Sequence, residues 1–166
     1  MDVSQALKNP GQPYPFDATI DVPATIVLDD PVSFDGVRLV GDVVGAADAA
    51  SVRGRLTATA VTRCARCLEP VKVPLDVAVD EIYARDASPG DDRYPFSGYR
   101  LDLTPMVQEA LLLDLPLRVV CGEDCKGLCP ICGINRNAAR CTCQGNSDAM
   151  NPYSALSDEL EDDEEV

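Results

Sequence analysis

Apolar and polar residues alternate along the first half of the chain with the period of two that belongs to β-strands. In Phe-Asp-Ala-Thr-Ile-Asp-Val at 16–22 every second residue is apolar, the pattern of a strand with one buried face. β-Branched, glycine-punctuated segments at 24–28 and 37–44 continue it, separated by Asp-Asp-Pro and Phe-Asp-Gly, both turn-forming. A longer strand pattern covers 51–63 and is joined to another at 71–79 through Cys-Ala-Arg-Cys-Leu-Glu-Pro, a connection of hairpin length. In the second of these, Val71, Val73, Val77 and Val79 share one face while Lys72, Asp76 and Asp80 take the other. On the first, Arg53, Arg55, Thr57, Thr59 and Arg63 share a side if no bulge intervenes.

Near residue 105 the period changes to that of a helix. Thr104 as N-cap and Pro105 at the first helical position open a segment near 105–114 that Pro116 stops. Its Met106, Val107, Ala110, Leu111 and Leu113 predict a helix laid against a sheet. Residues 1–15, polar and proline-bearing, read as a flexible lead-in, and 84–98 as a long surface loop. The expected fold is α+β, mainly β: an antiparallel sheet with one packed helix over 16–120, a small zinc-ribbon-like module over 121–145, and a short helical end with a disordered acidic tail over 146–166.

Residues 121–143 are too poor in large apolar side chains to fold by burial alone, so the module needs a staple. With no histidine in the chain, no Ser-His-Asp or Cys-His relay can be built, and a transition-metal site must draw on cysteines or carboxylates. The strongest motif is Cys129-Pro-Ile-Cys132-Gly with Cys141-Thr-Cys143 after it, eight residues separating Cys132 from Cys141. Two thiolates flanking a two-residue turn point at one ion, a second close pair completes a tetrahedron, and glycine after the second cysteine relaxes the turn. Cys129, Cys132, Cys141 and Cys143 therefore predict zinc; sulfur donors exclude magnesium and calcium, while iron fits them too.

Cys64 and Cys67 carry the same spacing on the hairpin, and two thiolates do not close a structural site. Cys121 and Cys125 can supply the other half, giving a second zinc that pins the module to the hairpin; the alternative is four free or partly buried thiols. Cys64-Ala-Arg-Cys67 lies between strands rather than opening a helix, where a redox pair gains its low thiol pKa. A four-thiolate site also leaves no position for an activated water. No enzymatic activity and no small-molecule substrate are expected, and oxidative release of the metal is the residual redox reading.

The net charge of −14 argues against a protein that coats nucleic acid non-specifically. Its distribution changes that picture. Residues 158–166 hold seven of the 28 acids and no base, which leaves −7 for the rest. Over 49–72, Arg53, Arg55, Arg63, Arg66 and Lys72 stand against Glu69 alone; over 118–143, Arg118, Lys126, Arg136 and Arg140 stand against Glu123 and Asp124. Both basic islands contain the cysteines. Candidate RNA contacts are accordingly Arg53, Arg55, Arg63, Arg66, Lys126, Arg136 and Arg140, the plain alternative for the strand arginines being a solvated face neutralised by aspartates. No basic start precedes an apolar run and no stretch approaches eighteen apolar residues, so the expected setting is a reducing cytoplasm without membrane contact.

In order, NPGQPYPFDATIDV, TRCARCLEPVKVPLDVAVDEIY, LDLTPMVQEALLLDLPLRVVCGEDCKGLCPICGINRN, CTC and NPYSALSDEL resemble the YceD family of large ribosomal RNA subunit accumulation proteins. The most specific pieces are Cys-x-Arg-Cys-Leu-Glu-Pro and Cys-Lys-Gly-Leu-Cys-Pro-x-Cys-Gly. The resemblance implies a non-enzymatic ribosome-biogenesis factor that supports accumulation or processing of large-subunit ribosomal RNA by binding the RNA or an early pre-ribosomal particle. The family's Cys-x-Arg-Cys maps onto Cys64, Arg66 and Cys67, and its C-terminal cysteines onto Cys121, Cys125, Cys129, Cys132, Cys141 and Cys143. Arg136 departs from the family pattern, in which Leu is usual, and either adds charge or loosens local packing. The alternative reading is a zinc-stabilised adaptor whose acidic tail docks a basic ribosomal protein or an RNA-processing factor.

Overall fold

A computed structural model describes residues 1–143 apart from Leu28 and Pro89. The chain runs as α1 (Ser4–Lys8), β1 (Pro13–Thr19), β2 (Thr25–Val27), β3 (Asp30–Gly45), β4 (Ala49–Arg63), β5 (Pro70–Ala84), β6 (Tyr94–Pro95) and α2 (Thr104–Asp114). The strands form one sheet in the order β1-β3-β4-β5-β6, with β2 paired to β3 off that path. The α+β, mainly β expectation holds. The sheet is antiparallel except at its far edge, where β6 pairs parallel with the end of β5 through Tyr83↔Tyr94 and Ala84↔Pro95.

Period-two patterning sets the two faces. On β4, Ala50, Val52, Leu56, Ala58, Ala60 and Thr62 are buried, while Arg53, Arg55 and Thr57 face water. On β5, Leu75, Val79 and Tyr83 are buried and Lys72, Asp76 and Asp80 are exposed. Both strands outrun their expected limits, because the alternation persists through Ile82 and the pairing Ala49↔Ala84 closes the ladder. On β3 the parity reverses part-way: Val32 and Phe34 are buried before Gly36, and Val37, Leu39 and Val43 after it. The register shifts between Asp35 and Arg38, with Gly36 at φ 63°. An extra residue at a bulge flips every later side chain, so one long strand serves β2 at one end and β1 at the other with its apolar side still on the core.

Leu39, Leu56, Tyr83, Met106 and Leu111 have no measurable exposure and lie in the main core, where α2 covers β5. The Tyr83 hydroxyl donates to the Asp102 carbonyl at 2.9 Å, which satisfies its polar end. The capping of α2 differs from expectation: Leu103 is the N-cap, and the Thr104 N–H donates to Asp102 Oδ1 at 3.0 Å. Asp102 thus does the work assigned to Thr104. Leu113 is 81% exposed rather than packed, since it lies about 200° around the helix from buried Leu111.

Residues 1–15 are not a flexible lead-in. Val3 and Ala6 are buried, the Val3 N–H donates to the Tyr99 carbonyl at 2.8 Å, and the Leu101 N–H donates to the Met1 carbonyl at 2.9 Å. The surface loop at 84–98 is likewise pinned by aromatics: Tyr94 packs on Tyr83 with ring centroids 5.3 Å apart, and Arg85 lies over the buried Phe96 ring. Polar, proline-bearing sequence hid both, because a few apolar side chains suffice once a neighbouring surface exists to receive them. The expected helical end and acidic tail over 146–166 lie outside the described residues. Among the described residues no helix is long and apolar enough to cross a membrane.

Gly45 is what admits α1. A Cβ at this position would lie 2.2 Å from the Ala6 carbonyl oxygen, whereas at Gly122 it would meet nothing within 4 Å. Gly45→Ala is therefore expected to destabilise the chain by about 1–3 kcal/mol, seen as a lower denaturant midpoint, with Gly122→Ala under about 0.5 kcal/mol. Equal midpoints for the two variants would contradict this packing of α1.

Candidate metal centres

The loop from β4 to β5 is a knuckle built the same way as the one in the C-terminal module. The Cys64 N–H donates to the Glu69 carbonyl at 2.8 Å and the Leu68 N–H to the Cys64 carbonyl at 2.9 Å; correspondingly, the Cys129 N–H donates to Ile134 at 2.8 Å and the Gly133 N–H to Cys129 at 2.9 Å. In both turns the residue after the second cysteine is left-handed, Leu68 at φ 62° and Gly133 at φ 71°. Gly133 takes that conformation freely. Leu68 takes it against a cost on the order of 1–2 kcal/mol. A leucine gives no sequence signal for such a turn, which is why the likeness of the two knuckles beyond their cysteine spacing is visible only in three dimensions.

Among the described residues the eight cysteines fall into two sets of four, Cys64, Cys67, Cys121 and Cys125, and Cys129, Cys132, Cys141 and Cys143, each with its sulfurs within 4.8 Å of one another. These are the two groupings expected from spacing, and each can hold a metal ion. In the first set Cys64 and Cys125 Sγ are 3.8 Å apart, and Cys67 and Cys121 Sγ are 3.6 Å apart. The edge of a tetrahedron around an ion with metal–sulfur bonds of 2.3 Å is about 3.8 Å, so these sulfurs fit a four-coordinate thiophilic metal.

Electrostatics make the same demand. Burial opposes ionisation of Cys64, but the amides of Arg66, Cys121 and Cys67 outweigh it and bring the thiol down to about 6. Cys121, hydrogen-bonded to Cys125 and Cys67, is pushed up to about 12. In the second set the amides of Cys132 and Ile131 lower Cys129 to about 6, while the hydrogen bond to Cys132 raises Cys143 to about 12. The Asn137 hydrogen bond lowers Cys125 too, and Cys67 is raised, so in each set thiols that ionise readily stand beside thiols that resist. A divalent cation is what lets all four sulfurs ionise together.

The first set joins the hairpin tip to the module. Cys64, Cys67 and Cys125 form a small buried cluster with Val71 and Val120 against it. The Arg66 guanidinium donates through Nη1 to the carbonyls of Glu123 and Cys125, both at 3.1 Å. The Ala65 N–H reaches the Val119 carbonyl at 2.8 Å, and the Leu128 N–H reaches Arg66 at 2.9 Å. Asn137 donates to Cys125 Sγ at 3.4 Å and accepts from the Lys126 N–H at 2.8 Å, while Asn135 donates to Glu69 at 3.2 Å. Both asparagines escaped the sequence reading. Their signal was the short Asn-x-Asn after the second knuckle, which favours side-chain to backbone bonds.

The cationic residues divide into two groups. Arg53 holds Asp80 at 2.9 Å, and Arg55 holds Asp76 through two bonds of 2.5 and 2.7 Å, on the solvent face of the sheet. Arg38 likewise pairs with Asp17 across β1 and β3. Arg63 is exposed at the end of β4, and Arg66 is engaged by the clasp. Lys126, Arg136 and Arg140, by contrast, line one cleft of about 320 Å³ with Ala139, Cys141 and Cys143. Arg136 is exposed there, so its departure from the family pattern adds charge instead of altering packing.

The family model described as large ribosomal RNA subunit accumulation protein YceD matches residues 52–158. The chain belongs to the YceD family. An uncharacterized protein of Mycobacterium tuberculosis is 32% identical over 142 residues, 81% of this chain and 69% of its own length. YlbN of Bacillus subtilis is 25% identical over 133 residues, 77% of each chain. A Zea mays protein named large ribosomal RNA subunit accumulation protein YCED homolog 1, chloroplastic, is 33% identical over 70 residues, 40% of this chain and 24% of its own length. No solved structure matches the chain. The YceD match takes in nearly all of β4, then β5, β6, α2, all eight cysteines and all seven candidate cations, and leaves α1 to β3 outside.

Arg66 orients the carbonyl side of the Cys121–Cys125 turn without touching a sulfur through its side chain. Arg66→Ala should lower metal affinity at the first set by about 10–100-fold, the usual effect of removing an outer-shell partner, and leave the second set unchanged. Cobalt titration of the full chain, competed by a chelator, reads the two sets in turn. Equal loss at both, or at neither, would contradict the clasp geometry.

Proposed function

We propose that the protein is a non-enzymatic factor for large-subunit ribosomal RNA accumulation, that it grips folded ribosomal RNA or an early large-subunit particle through its cysteine-rich module, and that zinc fills both four-cysteine sets. The observation that carries this is the convergence of Lys126, Arg136 and Arg140 on one cleft beside the second set, in a chain of a family described by large ribosomal RNA subunit accumulation. Structured RNA is held through phosphates and 2′-hydroxyls, which a modest, well-shaped patch of cations can meet without a basic whole. Arg53 and Arg55 are weaker candidates, because each already faces an aspartate and would exchange one anion for another.

Zinc is favoured over iron because a staple needs a closed tetrahedral site with no redox chemistry of its own. Two ions per chain are expected by elemental analysis, falling to one when Cys64 and Cys67 are both changed to Ser. One ion in the parent chain, unaltered by that change, would refute the clasp. The net charge of −14 favours a second reading, an adaptor whose acidic end docks a basic ribosomal protein; loss of such a partner from a chain lacking 158–166, with RNA binding absent throughout, would select it.

For the RNA contact, the zinc-loaded chain with Lys126→Gln, Arg136→Gln and Arg140→Gln should bind a folded large-subunit ribosomal RNA fragment at least about tenfold more weakly. Its log affinity should also depend less steeply on log salt, by about 2–3. Arg53→Gln with Arg55→Gln should do much less. Unchanged affinity and salt slope in the triple variant would rule out this contact.

A further inference from the structure

The cleft beside the second cysteine set gathers three cations that differ in their partners from the paired arginines elsewhere. Arg38, Arg53, Arg55 and Arg93 each hold an aspartate. Among the described residues no carboxylate pairs with Lys126, Arg136 or Arg140, and all three are exposed. The chain carries its own complement to them. Residues 158–166, Asp-Glu-Leu-Glu-Asp-Asp-Glu-Glu-Val, put seven carboxylates into nine residues.

We propose that residues 158–166 occupy the Lys126, Arg136 and Arg140 cleft when RNA does not, so that the acidic end of the chain is a tethered competitor of the RNA; this rests on reading the cleft as the RNA contact. The tether permits it. Asp158 follows Cys143, itself in the lining of the cleft, by 15 residues, and that length spans up to about 50 Å when extended. Returning to the cleft needs only a fraction of it.

The charge balance sets the strength. A zinc ion with four thiolates carries a formal −2, which offsets part of the three cations and leaves the cleft only weakly positive. A free acidic peptide would therefore bind poorly. A tethered one acts at an effective concentration on the order of millimolar, where even a weak contact is substantially occupied. RNA presents the same chemistry, a row of anions, with far more of them and with 2′-hydroxyls in addition, so it displaces the tail. Loose RNA fragments that offer only a few phosphates do not, and the tail thereby raises selectivity for an extended folded partner.

The test compares the zinc-loaded full chain with a chain of equal length in which Asp158, Asp162 and Asp163 become Asn and Glu159, Glu161, Glu164 and Glu165 become Gln. Without RNA, backbone amide resonances over 126–143 should differ between the two chains, and the difference should vanish in high salt and in the Lys126→Gln, Arg136→Gln, Arg140→Gln background. Affinity for the folded ribosomal RNA fragment should rise roughly two- to tenfold on neutralising the tail, with no rise in that background. Identical amide resonances overturn the docking. A gain in affinity that persists without the three cations reflects net charge alone and overturns it too. Amide differences in chains that bind no RNA refute the RNA reading of the cleft, and the competition with it.

Discussion

Four sulfurs meeting at the hairpin tip are the constraint on which the module of residues 121–143 depends. Cys64 and Cys67 come from one side of the joint, Cys121 and Cys125 from the other, and the facing pairs are 61 and 54 residues apart in the chain. Of residues 121–143 only Cys125, Gly127 and Cys129 are buried, so the module has almost no apolar core to offer. The single hydrogen bonds across the joint are each worth about 0.5–1.5 kcal/mol, somewhat more for the charged Arg66. A structural zinc of the kind proposed contributes about 10–16 kcal/mol in small peptides. Such a metal would therefore decide whether the joint exists, and the surrounding donors its angle.

The sheet makes the joint possible by delivering its tip rigidly. β4 and β5 pair without interruption from Ala49↔Ala84 to Arg63↔Pro70, which places the first knuckle at the end of a 15-residue ladder instead of on a free loop. After α2 the chain returns past Val119 to Ala65, so Cys121 arrives beside Cys64 with no long excursion. The bulge at Gly36 matters at one remove: by reversing parity in β3 it keeps Val32, Phe34, Val37, Leu39 and Val43 on the core beside β4. A straight β3 would turn half of those side chains to water and loosen the ladder that carries the tip.

Legibility in the sequence followed the range of the interaction. Val71, Val73, Val77 and Val79 announced their face because alternation is local, and Cys129-Pro-Ile-Cys132-Gly announced its turn because glycine stands where φ is positive. Cys64-Ala-Arg-Cys67-Leu was ambiguous for the opposite reason: Leu68 adopts the same backbone without the residue that advertises it, and only the sulfurs of Cys121 and Cys125 make the strain worthwhile. Val3 and Ala6 looked like part of a loose end because nothing nearby in sequence calls for them; the surface they fill, around Gly45, is supplied by a strand some forty residues later. The arginines of β4 shared a face as expected. Their pairing with Asp76 and Asp80 depended on cross-strand register, which no single strand contains.

Charge then separates two kinds of arginine that a count of basic residues treats alike. On the sheet face, Arg53 and Arg55 are balanced locally by aspartates in exposed pairs that add little stability and leave little field. In the module, no carboxylate among the described residues pairs with Lys126, Arg136 or Arg140, and the proposed metal site would offset them in part, since four thiolates exceed the charge of a divalent ion by two. Loading the metal thus reduces the positive field of the cleft while fixing the positions of the cations around it. For a sequence-independent polyanion binder that exchange would be a loss, because affinity there follows net charge. For the proposed contact with folded RNA it is a gain, because phosphates and 2′-hydroxyls at set spacings reward cations held at matching positions. An acidic chain with a small metal-braced basic cleft is the combination that favours shape over charge.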